Sequence, residues 1–191
     1  MPSPCQITSG QTLGCRDNTG GIKNMWILSG SISAITDTSG VISSVTGTGQ
    51  FYKFELFRET SDYNETTTVT PENGTIQIEQ TLNAVFYKMS VSQRNTVRLL
   101  SGNQNIKIIV QTNNPNATDQ FLLMGAYNGA TLVTSTAGTG TAMSDRNGYA
   151  IVFTAKEVEP ASYFNASAIT GMQALFTGIT FNSGSAFGPA Q

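Results

Sequence analysis

The most informative absence from this chain is histidine. None of the 191 residues is a histidine, which removes the commonest general base, the usual serine and cysteine triads and the commonest metal ligand. Charged residues make up only 12% of the chain, about half of the roughly 25% usual for soluble domains. Lysines and arginines are scattered singly and the net charge is −2, which argues against a basic nucleic-acid-binding face. We therefore expect no enzyme, no metal and no cofactor.

Cysteines and long apolar runs are also scarce. Cys5 and Cys15 cannot form a four-sulfur zinc site and can form at most one disulfide across a short loop; two free thiols are the favoured interpretation. The opening MPSPCQITSG has neither the basic nor the apolar region of a signal peptide. No run approaches the roughly 18 apolar residues of a membrane span. The expectation is a soluble protein made inside a cell, with no membrane partner.

Short polar side chains supply the solubility that charge does not. The chain contains 26 threonines, 18 serines, 15 asparagines and 19 glycines. Serine, threonine and asparagine compete for backbone hydrogen bonds and disfavour helices, whereas β-branched residues suit a pleated surface. The composition predicts a mainly β chain with abundant turns, in one domain rather than two because of its length.

Alternating apolar residues predict the first strands. Residues 22–28 form an apolar segment after a turn-like stretch, and 29–50 are either weak strands or a flexible connection, with short strands favoured. In 51–57 the set containing Tyr52, Phe54 and Leu56 is expected to face the core. Residues 75–88 alternate clearly, with Gln80 interrupting the apolar face. This long strand is expected to pair antiparallel with 51–57.

Between these two strands, residues 58–74 are acidic and nearly free of large apolar groups. Such a segment cannot supply a core of its own, so we expect a projecting hairpin or loop that contacts something outside the domain.

One helix is predicted after the long strand. Ser90 and Gln93 form a capping box, and Gly102 stands where a left-handed C-terminal cap is wanted. Val97 and Leu100 share one face, with Arg94 and Arg98 on another. The favoured interpretation is a lid over one open end of a β-sandwich.

Turn signals organise the second half. Residues 106–112 and 121–127 are predicted strands separated by turn formers, and Asn128-Gly129 is expected to make a hairpin into 130–136. Residues 149–158 alternate again, which gives seven or eight strands in all. Glu157 and Glu159 could be a carboxylate pair or half a calcium site, but no further ligand pattern accompanies them.

After Pro160 no charged residue occurs up to Gln191, yet the segment is rich in apolar side chains. Such an arm needs a protein surface to cover it, its own domain's or a neighbour's. We divide the chain into a β-sandwich domain, 1–160, and an apolar C-terminal arm, 161–191, expected to pack partly on a neighbouring subunit.

Four stretches in order resemble the tail tube proteins of bacteriophages, particularly those infecting Bacteroidetes. They cover somewhat under half of the chain: CRDNTGGIKNMWI (15–27), SQRNTVRLLSGN (92–103), FLLMGAYNG (121–129) and GTAMSDRNGYAIVFTAKEVEPASYF (140–164). The resemblance implies a β-sandwich or barrel with one flanking helix, closing into a six-fold ring, with rings stacking into the tube through which DNA is ejected. It also implies that a long loop, here 58–74, contacts the adjacent ring.

The expected function is therefore a structural virion protein of the tail, assembled in the host cytoplasm from copies of itself and other tail proteins, with DNA only in transit. A capsid decoration, neck or other tail component, or a surface adhesin, are the alternatives. The expected inter-ring contacts lie in the acidic loop, and the expected inter-subunit contacts lie in the arm. The first set is Glu59, Asp62, Tyr63, Glu65 and Glu72; the second is Phe164, Leu175, Phe176 and Phe181.

Overall fold

A computed structural model describes residue 10 and residues 19–114 and 119–183, so Cys5 and Cys15 lie outside the described residues. The elements in chain order are β1 (Ile22–Thr38), β2 (Val41–Glu55), β3 (Asp62–Thr70), β4 (Thr75–Tyr87), α1 (Val91–Ser101), β5 (Ile108–Thr112), β6 (Phe121–Met124), β7 (Ala130–Gly138), β8 (Gly148–Glu157), β9 (Tyr163–Phe164), α2 (Ile169–Ala174) and β10 (Phe176–Asn182).

The first sheet closes on itself. Its strands pair in the order β1, β5, β6, β9 and β2, and β2 also pairs with β1. Strand β10 adds to β2 in parallel, and β9 pairs with β2 in parallel as well. The β1–β2 hairpin turns at Ser39 and Gly40, both with positive φ. We call this the closed sheet; it contains residues 29–50 as regular strands.

The second sheet has four strands in the order β3, β4, β8, β7, all antiparallel. We call it the four-stranded sheet. Its inner face carries Leu82 and Ala84 from β4 with Ile151 and Phe153 from β8, all buried. The alternation predicted for these two strands is confirmed. One side of each strand faces the core and the other faces outward, which is the pattern of a half-buried antiparallel sheet.

Two cores lie on the two faces of the closed sheet. Met25 and Ile27 point into the core shared with the four-stranded sheet, whereas Trp26 and Leu28 point into a second core. A strand buried on both faces reads as a continuous apolar run rather than an alternation. The prediction for 51–57 is confirmed for Leu56, which is buried in the first core, and for Phe54, which packs against it. It was wrong for Tyr52, which is exposed, and for Phe51, which is fully buried in the second core.

Two predicted strand pairings were also wrong. Strand β4 pairs with β3 and β8, not with β2. Asn128-Gly129 does turn the chain, with Gly129 at φ 84°, but β6 and β7 belong to different sheets. The turn therefore carries the chain from one sheet to the other, because a turn signal fixes a local reversal and not the strand partner.

Helix α1 begins as predicted. Ser90 is its N-cap and accepts a hydrogen bond from the Gln93 backbone at 3.2 Å. Gly102 ends it in the right-handed region, not in the expected left-handed one. Leu100 and Val97 pack on the first core, and the helix lies against β7. The predicted class is confirmed: a mainly β sandwich with a closed sheet and one long flanking helix, to which the structure adds the short α2.

Candidate assembly surfaces

The β3–β4 hairpin extends beyond the rest of its sheet. Pairing between β4 and β8 stops at Ile78, so the part of the hairpin from Thr68 to Gln77 is paired only with itself. Val69 and Ile76 are Cα partners there, and each is 58% exposed. The acidic segment is thus a projecting hairpin as expected, and two apolar side chains stand near its tip.

The predicted contact residues of this segment divide into two groups. Glu59 lies at the bend before β3, at φ 60°, and Glu72 lies in the turn after it; both are exposed. Tyr63, in contrast, donates a hydrogen bond to Glu65 at 2.6 Å, and Glu65 also accepts one from the Ala161 backbone at 2.8 Å. Asp62 accepts from the Asn83 side chain at 3.0 Å. Three of the five residues are therefore bonded within their own chain.

Burial raises the pKa of Tyr63, and the hydrogen bond to Glu65 raises it further. A phenol in this position stays protonated and holds the Glu65 carboxylate against the segment that follows Pro160. The base of the hairpin is therefore fixed to the domain, while its tip is free to contact another molecule.

The described part of the predicted C-terminal arm, residues 161–183, packs on its own chain. Phe164 and Phe176 are buried in the second core, and Leu175 and Phe181 pack against it. Phe176 lies 5.3 Å from Phe51 and from Phe164 between ring centroids. Because β9 and β10 also pair with β2, the packing has no boundary at Pro160 within the described residues.

The four-stranded sheet has two edge strands, β3 and β7. The backbone of Ala130, at the start of β7, pairs with Ile106, and the open part of this edge lies beyond it. Residues 66–70 of β3 and all of β7 carry no charge, and neither strand contains proline. Unpaired edges without lysine or proline are templates for pairing with another chain. One bulge, between Leu132 and Thr134, interrupts β7; beyond it the strand is exposed through Gly138.

The outer face of the same sheet is covered by short hydroxyl and amide side chains. Residues in register across it include Asn64, Thr81, Thr154 and Thr131. Charged residues on this face are Asp62, Glu79 and Lys156. The face is therefore polar and sparsely charged.

The outward side of α1 is a surface that the sequence analysis did not single out. Val91 and Leu99 are 75% and 76% exposed, and Arg94 and Arg98 are exposed beside them. The stripe of Val97 and Leu100 predicts only the core-facing side of the helix. Val91 and Leu99 are apolar residues off that stripe, and they are the signal in the sequence for a second apolar side.

Glu157 and Glu159 lie in different environments. Glu159 is exposed, whereas Glu157 is buried and accepts hydrogen bonds from the backbones of Tyr127, Asn128 and Gly129 at 3.0 to 3.3 Å. Lys107 donates a hydrogen bond to the Tyr127 carbonyl at 3.1 Å. Burial lowers the pKa of Lys107, and the nearby Glu157 carboxylate offsets part of that decrease. These groups fix the turn between the two sheets.

Clefts flank Tyr163 on two sides, and Asp37, Asp119 and Glu159 line one of them. Among the residues that the structure describes, no three acidic or cysteine side chains are arranged to hold a metal ion. Within the same residues, no helix is long and apolar enough to cross a membrane.

Comparison with known proteins gives no further guide to this arrangement: no family model, curated protein or solved structure matches the chain.

Proposed function

We propose that this chain is a structural subunit that associates with copies of itself into a ring, and that stacked rings form the tube of a bacteriophage tail. The observation that carries the proposal is that the four-stranded sheet ends in two edge strands, β3 and β7, which contain no lysine or proline and carry no charge over residues 66–70 and 130–138. The sequence resemblance to tail tube proteins supplies the biological setting.

The strand directions permit such a ring. The four strands alternate in direction, so β3 and β7 run opposite ways. Rotation of a copy about an axis roughly along the strands brings its β3 beside β7 of the next copy in antiparallel orientation. A heterologous contact of this kind closes into a ring when the rotation closes. The pairing satisfies both edges without changing the subunit fold.

The outer face of that sheet suits a channel for DNA. Groups that grip a duplex are clustered lysines and arginines, which neutralise phosphates. This face carries Lys156 together with Asp62 and Glu79, and its other side chains are uncharged, mostly hydroxyl and amide groups with a few apolar ones such as Val152. A lumen lined in this way lets DNA pass without holding it. The projecting β3–β4 hairpin then provides the contact between successive rings.

The test is microscopy and light scattering of the purified full chain. Rings or tubes are expected, and a strict monomer of 20.3 kDa at high concentration would overturn the proposal.

Replacing Thr134 and Thr136 of β7 with lysine should block ring closure, because charged edges resist strand pairing. The matched control places lysine at Thr139 and Thr141 in the exposed loop after β7, and it should assemble normally. A decoration protein would instead bind capsids without forming tubes.

A further inference from the structure

The outward side of α1 combines apolar exposure with unpaired positive charge. Val91, Asn95 and Leu99 are spaced by four residues and so lie along one stripe, with Arg94 and Arg98 beside it. Residues 80–118 contain no aspartate or glutamate. We call Val91, Arg94, Arg98 and Leu99 the α1 outer face.

The hairpin tip has the complementary character. Val69 and Ile76 are exposed together, and Glu72 lies in the turn between them. Residues 59–79 contain no lysine or arginine; their carboxylates are those of Glu59, Asp62, Glu65, Glu72 and Glu79. Within the described residues, the one ion pair joins Lys53 to Glu55. Among the described residues, no opposite charge forms an ion pair with the tip or with the α1 outer face.

A subunit cannot bring its own tip to its own α1 outer face. Helix α1 packs against β7, at the side of the four-stranded sheet opposite β3. It also begins just after the end of β4 that is remote from the turn. The 13 residues of β4 span about 40 Å at roughly 3.3 Å per residue. The two surfaces therefore need different copies to meet.

We infer that the α1 outer face is the docking site for the β3–β4 hairpin tip of a second copy of this chain. Val69 and Ile76 cover Val91 and Leu99, and Glu72 lies among Arg94 and Arg98. Because the two surfaces differ, the contact is heterologous and propagates from copy to copy. The inference rests on the proposed self-association and names the acceptor for its stacking contact.

Exposed charge pairs are weak singly and are screened by salt, so the contact depends on repetition around a ring. Raising the salt concentration from about 0.1 M to about 1 M should shorten the tubes while leaving single rings, because strand pairing at the ring edges does not rely on charge.

The decisive variant is R94E/R98E in the full chain. Its control is K23E/R146E, which makes the same change in net charge at two exposed cations outside the 58–74 segment and α1. We expect R94E/R98E to form single rings and to need a protein concentration at least about tenfold higher to stack, while the control stacks as wild type. Combining Glu72→Arg with Arg98→Glu should recover stacking, which also shows that the variants fold.

The outcomes separate the two proposals. A wild-type chain that stays monomeric overturns the proposed function, and this docking contact with it. Wild-type tubes together with equally long R94E/R98E tubes overturn the docking contact alone. Failure of the charge exchange to restore stacking in folded protein also overturns it.

Discussion

The Glu157 carboxylate at the end of β8 caps the turn that joins the two sheets, accepting the Asn128 backbone N–H at 3.0 Å. It does so while only 2% exposed. A buried carboxylate is stable when it receives several hydrogen bonds, and here three successive backbone N–H groups point at it. It therefore fixes the turn that connects the closed sheet to the four-stranded sheet, between which the first core lies.

Replacing Glu157 with glutamine should therefore destabilise the subunit. The amide nitrogen replaces Oε2, which accepts the Asn128 N–H at 3.1 Å, so a donor faces a donor there and the negative charge that strengthens the other bonds is lost, at a cost of about 1–3 kcal/mol. Chemical denaturation measures the loss. The exposed Glu159→Gln variant serves as the control and should change stability by less than about 0.5 kcal/mol. Equal stability of the two variants would show that the cap contributes nothing.

The Tyr63 phenol predicts a loss of stability in alkali. Its pKa is raised by burial and by the bond to Glu65, above the ordinary value of 10.0. The stabilisation is therefore complete below pH 10 and declines as pH rises further, because the unfolded chain ionises first. Tyr127 and Tyr163 shift in the same direction. Tyr63→Phe should flatten, but not abolish, the fall in unfolding free energy between about pH 9 and pH 11; an unchanged slope would contradict the assignment.

The packing of Phe176 predicts that the segment after Pro160 stabilises its own subunit. Its ring contacts Phe51, Phe164 and Phe181, so Phe176→Ala should cost about 3–5 kcal/mol in the free subunit. Thr177→Ala, at the exposed neighbouring position, is the control. The Ile179 amide should be protected from hydrogen exchange before any assembly. If the Ile179 amide became protected only in assembled rings, the segment would instead pack on a neighbouring subunit.

The parts of the fold that the sequence predicted are those where one face alone is buried. β4 and β8 alternate between core and solvent, so their faces follow from residue type. The same reasoning misplaced Phe51 and Tyr52, because the closed sheet has a core on each face and its strands lose alternation. Composition also showed that the segment after Pro160 needs a covering surface, but composition does not state whose surface that is.

The assembly surfaces were predictable to a similar extent. Exposure of Glu59 and Glu72 follows from an acidic segment with few apolar groups. The hydrogen bond from the Ala161 backbone to Glu65 does not, because it joins positions 96 apart in sequence. The edge strands became visible only with the sheet order, since a strand's sequence does not identify its neighbours.

Shortening the β3–β4 hairpin should separate ring formation from stacking. Deleting Thr68 and Val69 with their partners Gln77 and Ile76 removes two rungs and about 7 Å of length. Two residues leave each strand, so every remaining side chain keeps its face, and the turn from Thr70 to Thr75 is retained.

The shortened subunit should fold with nearly wild-type stability, because the deleted rungs lie beyond the pairing with β8 and contribute little to either core. It should close into rings, since the rest of β3 and the whole of β7 persist, but those rings should not stack. The V69T/I76T variant keeps the full length of the hairpin and removes only its apolar side chains. It therefore separates the effect of hairpin length from that of apolar contact, and we expect its stacking to be intermediate. Electron microscopy measures assembly, and thermal unfolding measures subunit stability. If the shortened subunits built tubes of wild-type length, the hairpin would not be the contact between rings.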